Sequence, residues 1–272
     1  MTLASRLLLA ATVAAASLLA ACLGSDGDSD VRVIVDGTVL PSPTSPGAGA
    51  EPSTAVTPGP AQELLPVTAV SPISTIDPDD LRGFDYPLGG ACLPDADLLM
   101  PNAPREYRNG THEGIDWYDL SSCARVSAGT PVRAMYDGVV SRADLDYEDL
   151  TAATLGELEA RTAECACSDP EVLDTFRGRQ LWIDHGGGIV TRYAHLDSIA
   201  EGIYVGATIR RGQVIGIVGE SGTPESITDP GTQFHLHAEV RVGDSFLGAG
   251  LPPDEVRRLY EQLFAPRPVT AE

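Results

Sequence analysis

Short runs of β-branched and aromatic residues, separated by glycine-containing turns, follow one another from about residue 84 onward. This alternation is typical of antiparallel strands joined by tight turns, so it predicts a mainly β fold. Four strand pairs are expected: 131–136 with 139–143, 181–184 with 189–195, residue 209 with 214–218, and 236–242 with 245–247.

Two stretches inside this β region have a helical pattern instead. Residues 151–164 contain good helix formers after a threonine cap, and residues 170–176 follow Asp169 and stop before Gly178. They predict a helical insertion at about 146–178. A last helix is predicted at 253–264, with proline near its start and one apolar face.

The N-terminal pattern predicts export and lipid anchoring. Arg6 precedes an apolar stretch at 7–21, which is short for a bilayer span and typical of a signal peptide. Small residues lie directly before Cys22, as in the bacterial lipobox. We therefore expect a lipoprotein signal peptide at 1–21, a lipidated Cys22 with a disordered Pro/Ser/Thr-rich tether at 22–83, and a folded domain at 84–272. The alternative is an ordinary secreted protein in which Cys22 is incidental.

This organisation predicts a protein held outside the cytoplasm, on the outer face of a bacterial membrane, by lipid at Cys22. Composition removes one class of partner. The 272 residues include 39 acidic and 18 basic residues, for a formal net charge of −21. Nucleic acid is not an expected partner, because phosphate binding requires clustered positive charge.

Four cysteines remain after Cys22, and disulfides are favoured for them outside the membrane. Cys92 and Cys123 are the predicted pair, because they bracket the segment that carries the first histidine motif. Cys165 and Cys167 could close a small loop or stay reduced. Zinc binding through these cysteines is a weaker alternative, since there is no second Cys-x-x-Cys.

The five histidines supply the candidate chemistry. His112-Glu113-Gly114-Ile115-Asp116 offers an imidazole and a carboxylate four residues apart, too far in a straight strand to share one ion. Gly114 allows a bend that could bring His112 and Asp116 together. Alone, this motif is weak evidence for a metal site, because a histidine and an aspartate at this spacing are also common as ordinary surface residues.

His235-Leu236-His237 is a stronger signal, because residues i and i+2 of a strand project to the same face. Both imidazoles could reach a metal, or one could bind it while the other handles protons; a solvated polar strand face is the alternative. His195, at the end of a predicted strand, is a third candidate. His185, beside three glycines, is interpreted as a turn residue at the sheet edge.

These motifs, in this order, resemble the lysostaphin-type zinc endopeptidases of the LytM family, which cut peptide cross-bridges or stems of peptidoglycan. The resemblance covers roughly residues 107–242. Besides the histidine motifs, it is carried by Gly129-Thr130-Pro131-Val132, Asp137-Gly138-Val139-Val140, Ile183-Asp184-His185-Gly186, Tyr193-Ala194-His195-Leu196 and Arg211-Gly212-Gln213-Val214-Ile215-Gly216.

The resemblance implies an antiparallel β-sheet peptidase domain, a duplicated hybrid motif, with its site on the floor of a groove. It implies one Zn²⁺ per chain, bound by His112, Asp116 and His237, with His195 and His235 as a catalytic pair that does not bind metal. The implied substrate is a peptidoglycan peptide. Two alternatives remain open: a non-catalytic module of the same fold that binds wall or activates another hydrolase, and a zinc carrier.

Overall fold

The computed structural model describes residues 81–267, in which short strands pair antiparallel throughout. The strands are β1 (Pro104–Arg105), β2 (Gly110–Thr111), β3 (Ile115–Tyr118), β4 (Pro131–Arg133), β5 (Gly138–Ala143), β6 (Leu181–Asp184), β7 (Ile189–Ala194), β8 (Leu196–Ile199), β9 (Thr208–Ile209), β10 (Val214–Val218), β11 (His235–Val242) and β12 (Ser245–Phe246). The helices are α1 (Ala152–Cys165), α2 (Pro170–Phe176), α3 (Glu225–Thr228) and α4 (Pro253–Leu263).

One large sheet carries most of the strands. Its order is β12-β11-β7-β6-β5-β9, and β3 pairs with β11 beside this path. A smaller sheet has the order β4-β10-β8, and β1 pairs with β2 alone. The predicted fold class, a mainly antiparallel β domain with a helical insertion and a C-terminal helix, is confirmed.

Two of the four predicted strand pairs are wrong. The pairs β6–β7 and β11–β12 form as expected. In contrast, β4 pairs with β10 while β5 pairs with β6 and β9, so the Asp137-Gly138 turn connects two different sheets. Likewise, β9 pairs with β5 and β10 with β4 and β8, so the chain changes sheet at Arg211-Gly212.

The main core lies between the two sheets and α4. Buried side chains from the large sheet, such as Trp117 and Leu236, pack in one cluster with Ile215 of the small sheet and Val256 of α4. The helical insertion has a separate small cluster: Leu150, Leu155, Leu158, Val172 and Phe176. The insertion therefore stabilises itself as a satellite of the sheet domain.

The two helices of the insertion begin at the residues that the sequence predicts. The Thr151 side chain accepts a hydrogen bond from the backbone N–H of Thr154, and the Thr154 side chain accepts one from the backbone N–H of Thr151. Asp169 accepts from the first backbone N–H groups of α2. These caps satisfy N–H groups that have no partner inside a helix.

Two disulfides join the four cysteines of the described residues. Cys92 and Cys123 are bonded at a Cα–Cα distance of 5.5 Å across 31 residues of sequence. Cys165 and Cys167 are bonded to each other across a separation of 2. The first disulfide adjoins the strand β3, because the indole N–H of Trp117 donates to the Cys92 carbonyl at 3.0 Å.

Removing the long-range disulfide should reduce stability more than removing the short one. In the chain-entropy account, a loop of this length constrains the unfolded chain by about 3–4 kcal/mol. We expect Cys92→Ser/Cys123→Ser to lower the free energy of unfolding by about that amount in urea titrations with chelator present. The matched control is Cys165→Ser/Cys167→Ser, and an equal loss in both double variants would contradict the prediction.

Within residues 81–267, no helix is long and apolar enough to cross a bilayer. The predicted signal peptide, Cys22 and almost all of the predicted tether lie outside the described residues.

Candidate metal centre and active site

The register of two neighbouring strands creates the centre of the site. Asp116 of β3 lies directly opposite His237 of β11, and Tyr118 lies directly opposite His235. Side chains on such cross-strand positions are within contact distance, and alternate residues share a face. Two alternate cross-strand pairs, separated by the pair Leu236–Trp117, therefore present two histidines, an aspartate and a tyrosine to the same side of the large sheet.

His112 joins this face from the loop between β2 and β3. Its Nε2 lies 2.9 Å from Asp116 Oδ1, so the two side chains meet as the bend at Gly114 predicts. Gly114 has a further role that the sequence does not reveal. A Cβ at this position would collide with the backbone carbonyl of Ala238, so only glycine lets the loop approach β11 this closely.

Three potential ligand atoms converge at this point. His112 Nε2, Asp116 Oδ1 and His237 Nδ1 lie 2.7, 2.9 and 3.0 Å apart in pairs. Ligand atoms of a tetrahedral zinc ion are separated by about 3.3 Å, given bonds near 2 Å. We call His112, Asp116 and His237 the cage. The distances between its three ligand atoms have to increase by only roughly half an ångström to hold zinc.

The second nitrogen of each cage histidine fixes its tautomer. His112 Nδ1 lies 3.0 Å from the Met100 carbonyl, which can only accept, so Nδ1 carries the hydrogen. His237 Nε2 lies 3.2 Å from the Glu239 carboxylate and carries the hydrogen for the same reason. With these tautomers, two nitrogen lone pairs and a carboxylate oxygen face one another, an arrangement that suits a bound cation.

Burial and neighbouring groups shift the pKa values of all three cage residues. Burial lowers the pKa of His112 to about 4, since a buried imidazolium loses its hydration. Burial also opposes ionisation of Asp116, yet His112 and His237 hold its pKa well below the ordinary value. Burial opposes charge on His237, but its hydrogen bonds to Asp116 and Glu239 raise its pKa. The three groups therefore favour one added positive charge, which is either a proton on His237 or a bound cation.

His195 reaches the site from the link between β7 and β8. Its backbone is left-handed, with φ of 56°, a conformation that residues other than glycine rarely adopt and that is often retained at functional sites. Its Nδ1 donates to the Ser221 carbonyl at 2.8 Å, which leaves Nε2 without a hydrogen. Burial keeps the pKa of His195 well below the ordinary value, so the imidazole is neutral near pH 7.

His235 has the same arrangement on β11. Its Nδ1 donates to the Gln233 carbonyl at 2.7 Å, and its Nε2 lies 4.0 Å from Asp116 Oδ1. Burial lowers the pKa of His235 as well. Tyr118 stacks on its ring with centroids 4.3 Å apart, and the rings of His195 and His235 are 4.6 Å apart. Two neutral imidazoles therefore stand beside the cage.

A cleft of about 650 Å³ opens over this face. The cage residues, His195, His235 and Tyr118 line it together with residues from three segments: Leu98, Leu99, Pro104, Arg105, Glu106, Tyr107 and Arg108; Glu159, Leu173, Phe176 and Arg177; Thr223, Pro224, Glu225 and Gln233. The helical insertion thus contributes one wall of the cleft. The volume of the cleft is within the usual range of ligand-binding sites.

Four residues of the site were missed by sequence reasoning. Tyr118 and Glu239 had a usable signal, because each is two residues from a predicted site residue on the same strand face. Arg105, which donates to Asp116 Oδ2 at 2.6 Å, and Arg177, which donates to Glu239 at 2.6 Å, had none. Their partners are set by long-range folding.

His185 takes no part in the site and lies in the turn between β6 and β7, where the sequence placed it, but its side chain points into the interior. It is fully buried, with Nδ1 2.7 Å from the Asp137 carbonyl and Nε2 2.8 Å from Thr191 Oγ1. Burial lowers its pKa. It is a core histidine with both nitrogens hydrogen-bonded.

Comparison with known proteins identifies the family. Residues 110–248, just over half of the chain, match the family described as peptidase family M23. No curated protein matches the chain. The matched segment contains both strands of the cage and all five histidines.

Several solved structures are similar at low sequence identity. A zinc-containing peptidase from Vibrio cholerae is 24% identical, over 63% of this chain and 41% of that one, with a TM-score of 0.39. A structure from Pseudomonas aeruginosa assigned to peptidase M23 is 22% identical, over 68% and 53%, with a TM-score of 0.37. The catalytic domain of the antimicrobial peptidase lysostaphin from Staphylococcus simulans is 21% identical, over 60% and 82%, with a TM-score of 0.32.

The chain spans about half or less of the length of the first two of these structures. The family match, which covers just over half of the sequence and includes the cage, agrees with the fold and with a possible metal site formed by two histidines and an aspartate. The chain belongs to peptidase family M23.

Proposed function

We propose that the protein is a zinc-dependent endopeptidase that hydrolyses peptide bonds in the cross-links or stems of peptidoglycan during wall remodelling. The observation that carries this proposal is the convergence of the three cage atoms and two neutral imidazoles in one cleft. Three protein ligands with a remaining open position are the arrangement of catalytic zinc sites. Membership of a peptidase family supports the same reaction.

In this proposal His112, Asp116 and His237 hold the ion. Bound zinc supplies two effects, a lower pKa of a coordinated water and polarisation of the scissile carbonyl. The protein's own groups then move the protons. His195 Nε2, which has no hydrogen, accepts a proton from the attacking water and delivers one to the leaving amine. His235, next to it, also has an Nε2 without a hydrogen, so it stabilises the charge that develops on the carbonyl oxygen once this nitrogen has accepted a proton.

The proposed location is the outer face of a bacterial membrane, with lipid at Cys22 as the anchor and the segment up to residue 83 as a tether. Two sequence features support this: the short apolar stretch before Cys22 and the proline-rich composition after it. A tether of this length gives the folded domain reach into the wall.

Removal of the metal tests the reaction directly. Full-length protein in detergent is incubated with purified peptidoglycan, with and without a zinc chelator, and new amine groups are counted by amine labelling. We expect amine release to stop with chelator and to return when zinc is added back, because no other group in the cleft replaces the Lewis acid.

The same assay separates the alternatives. A zinc-loaded protein that sediments with the wall but releases no amine groups would identify a non-catalytic binding module. One that binds zinc, releases no amines and does not sediment would identify a zinc carrier. Either result would reject the endopeptidase proposal.

A further inference from the structure

A buried charged cluster lies directly behind the cage. The Glu239 carboxylate is completely buried, and each of its oxygens faces cationic or donor groups. Oε1 accepts from Arg177 Nε at 2.6 Å and faces His237 Nε2 at 3.2 Å. Oε2 accepts from Arg241 at 3.3 Å and Arg192 at 3.5 Å. The two oxygens are thus surrounded by donors from three arginines and from His237, as a carboxylate in a closed interior requires.

Arg177 connects this cluster to the helical insertion. It directly follows the last residue of α2, and its side chain is 7% exposed. Besides Glu239, its guanidinium donates to Glu113 at 2.7 Å, and its backbone carbonyl accepts from the backbone N–H of His195 at 2.9 Å. Arg177 therefore contacts Glu113, which adjoins His112, and Glu239, which faces His237. It also contacts the backbone of His195.

The chemistry of the guanidinium explains why arginine is needed. Its planar fork donates to two carboxylates at once, whereas a lysine ammonium on a flexible stem cannot reproduce both contacts in fixed directions. Because Glu113 adjoins His112 in sequence and Glu239 contacts His237, one side chain fixes the surroundings of two potential ligands.

We infer that Glu239 and Arg177 are positioning residues of the metal site: Glu239 keeps the hydrogen of His237 on Nε2 and so leaves Nδ1 free for the ion, and Arg177 holds Glu239 in place. This inference rests on the zinc site proposed above. It gives the helical insertion a second role besides forming a wall of the cleft, since the insertion supplies the arginine that orients a metal ligand. Outer partners of this kind tune affinity as well as orientation.

The test is a zinc titration that needs no substrate. Wild type, Glu239→Gln and Arg177→Met, as full chains, compete with a chromophoric chelator for zinc. We expect both variants to bind zinc about 10- to 100-fold more weakly, as is usual when an outer partner of a histidine ligand is lost. The visible spectrum of the cobalt form should also shift, because the geometry at His237 changes.

Arg142→Met is the matched control. Arg142 forms ion pairs of 2.7 and 2.6 Å with Asp144 and Asp174, so it also anchors the insertion, but it does not contact Glu239. We expect its zinc affinity to stay within about threefold of wild type, even if its melting temperature falls as far as that of Arg177→Met. A purely structural role predicts parallel changes in stability and unchanged zinc affinity in all three variants.

The outcomes are separable from those of the proposed function. If wild type binds no zinc, the proposed zinc site itself fails. If wild type binds zinc and both Glu239→Gln and Arg177→Met bind it within about twofold of wild type, the positioning role is overturned while the peptidase proposal stands. Should Arg177→Met fail to fold, Glu239→Gln, which has the same shape as the native side chain, decides the question alone.

Discussion

Replacing His237 with alanine is expected to reduce zinc affinity by more than about 100-fold and to abolish hydrolysis of peptidoglycan. The expected loss exceeds the usual effect of removing an outer partner, because the substitution removes one of only three ligand atoms. It also leaves the buried Glu239 without the N–H group that it faces at 3.2 Å. Zinc affinity is measured by chelator competition, and hydrolysis by the release of new amine groups.

His185→Ala is the matched control for this prediction. It removes another fully buried imidazole, whose two nitrogens bond to Asp137 and Thr191 rather than to the cage. We expect it to lower the free energy of unfolding while leaving zinc affinity unchanged. Equal zinc affinity in His237→Ala and His185→Ala would remove His237 from the ligand set.

His195→Asn should separate catalysis from metal binding. We expect kcat to fall by about 10²- to 10⁴-fold, the usual contribution of a positioned acid–base group, with zinc affinity close to that of wild type. Asparagine is chosen because the left-handed backbone at φ of 56° is tolerated by asparagine better than by alanine. The amide cannot accept and return a proton, so the chemical step loses its base.

This prediction is checked by single-turnover hydrolysis of a cross-linked wall peptide together with a zinc titration. A loss of less than tenfold in rate would show that His195 is not the proton carrier. A parallel loss of zinc would instead place it among the ligands. The His195 ring centroid lies 5.8 Å from that of His237, so we expect the zinc affinity to be retained.

The candidate site was predictable where its residues follow a local rule. Strand alternation places His235 and His237 on one face, and the glycine after Glu113 permits the turn that brings His112 to Asp116. Which histidine of the pair joins the cage depends on register with β3, where His237 is opposite Asp116. That register is a long-range property, and only the family resemblance indicated it in advance. The roles of all five residues remain predictions.

The fold was predictable to a similar degree. Capping residues located both helices of the insertion, and two turns located true hairpins. The predicted hairpin at Asp137-Gly138 is wrong, because a type I′ two-residue hairpin turn requires positive φ at both residues. Neither residue has positive φ here. Its flanking strands find better partners in two separate sheets, an outcome set by packing in the core.

The opposition of Asp116 and His237 across β3 and β11 has a consequence for how this chain can vary. Adding or removing one residue inside β3 would exchange the two faces of the strand. The indole of Trp117 would then face the cleft, and the Asp116 carboxylate would face the hydrophobic core. The number of residues in β3 must therefore stay the same if Asp116 is to remain opposite His237. A change of length in α1, between β5 and β6, would leave the pairing of β3 with β11 unaltered, whereas a change inside β3 would not.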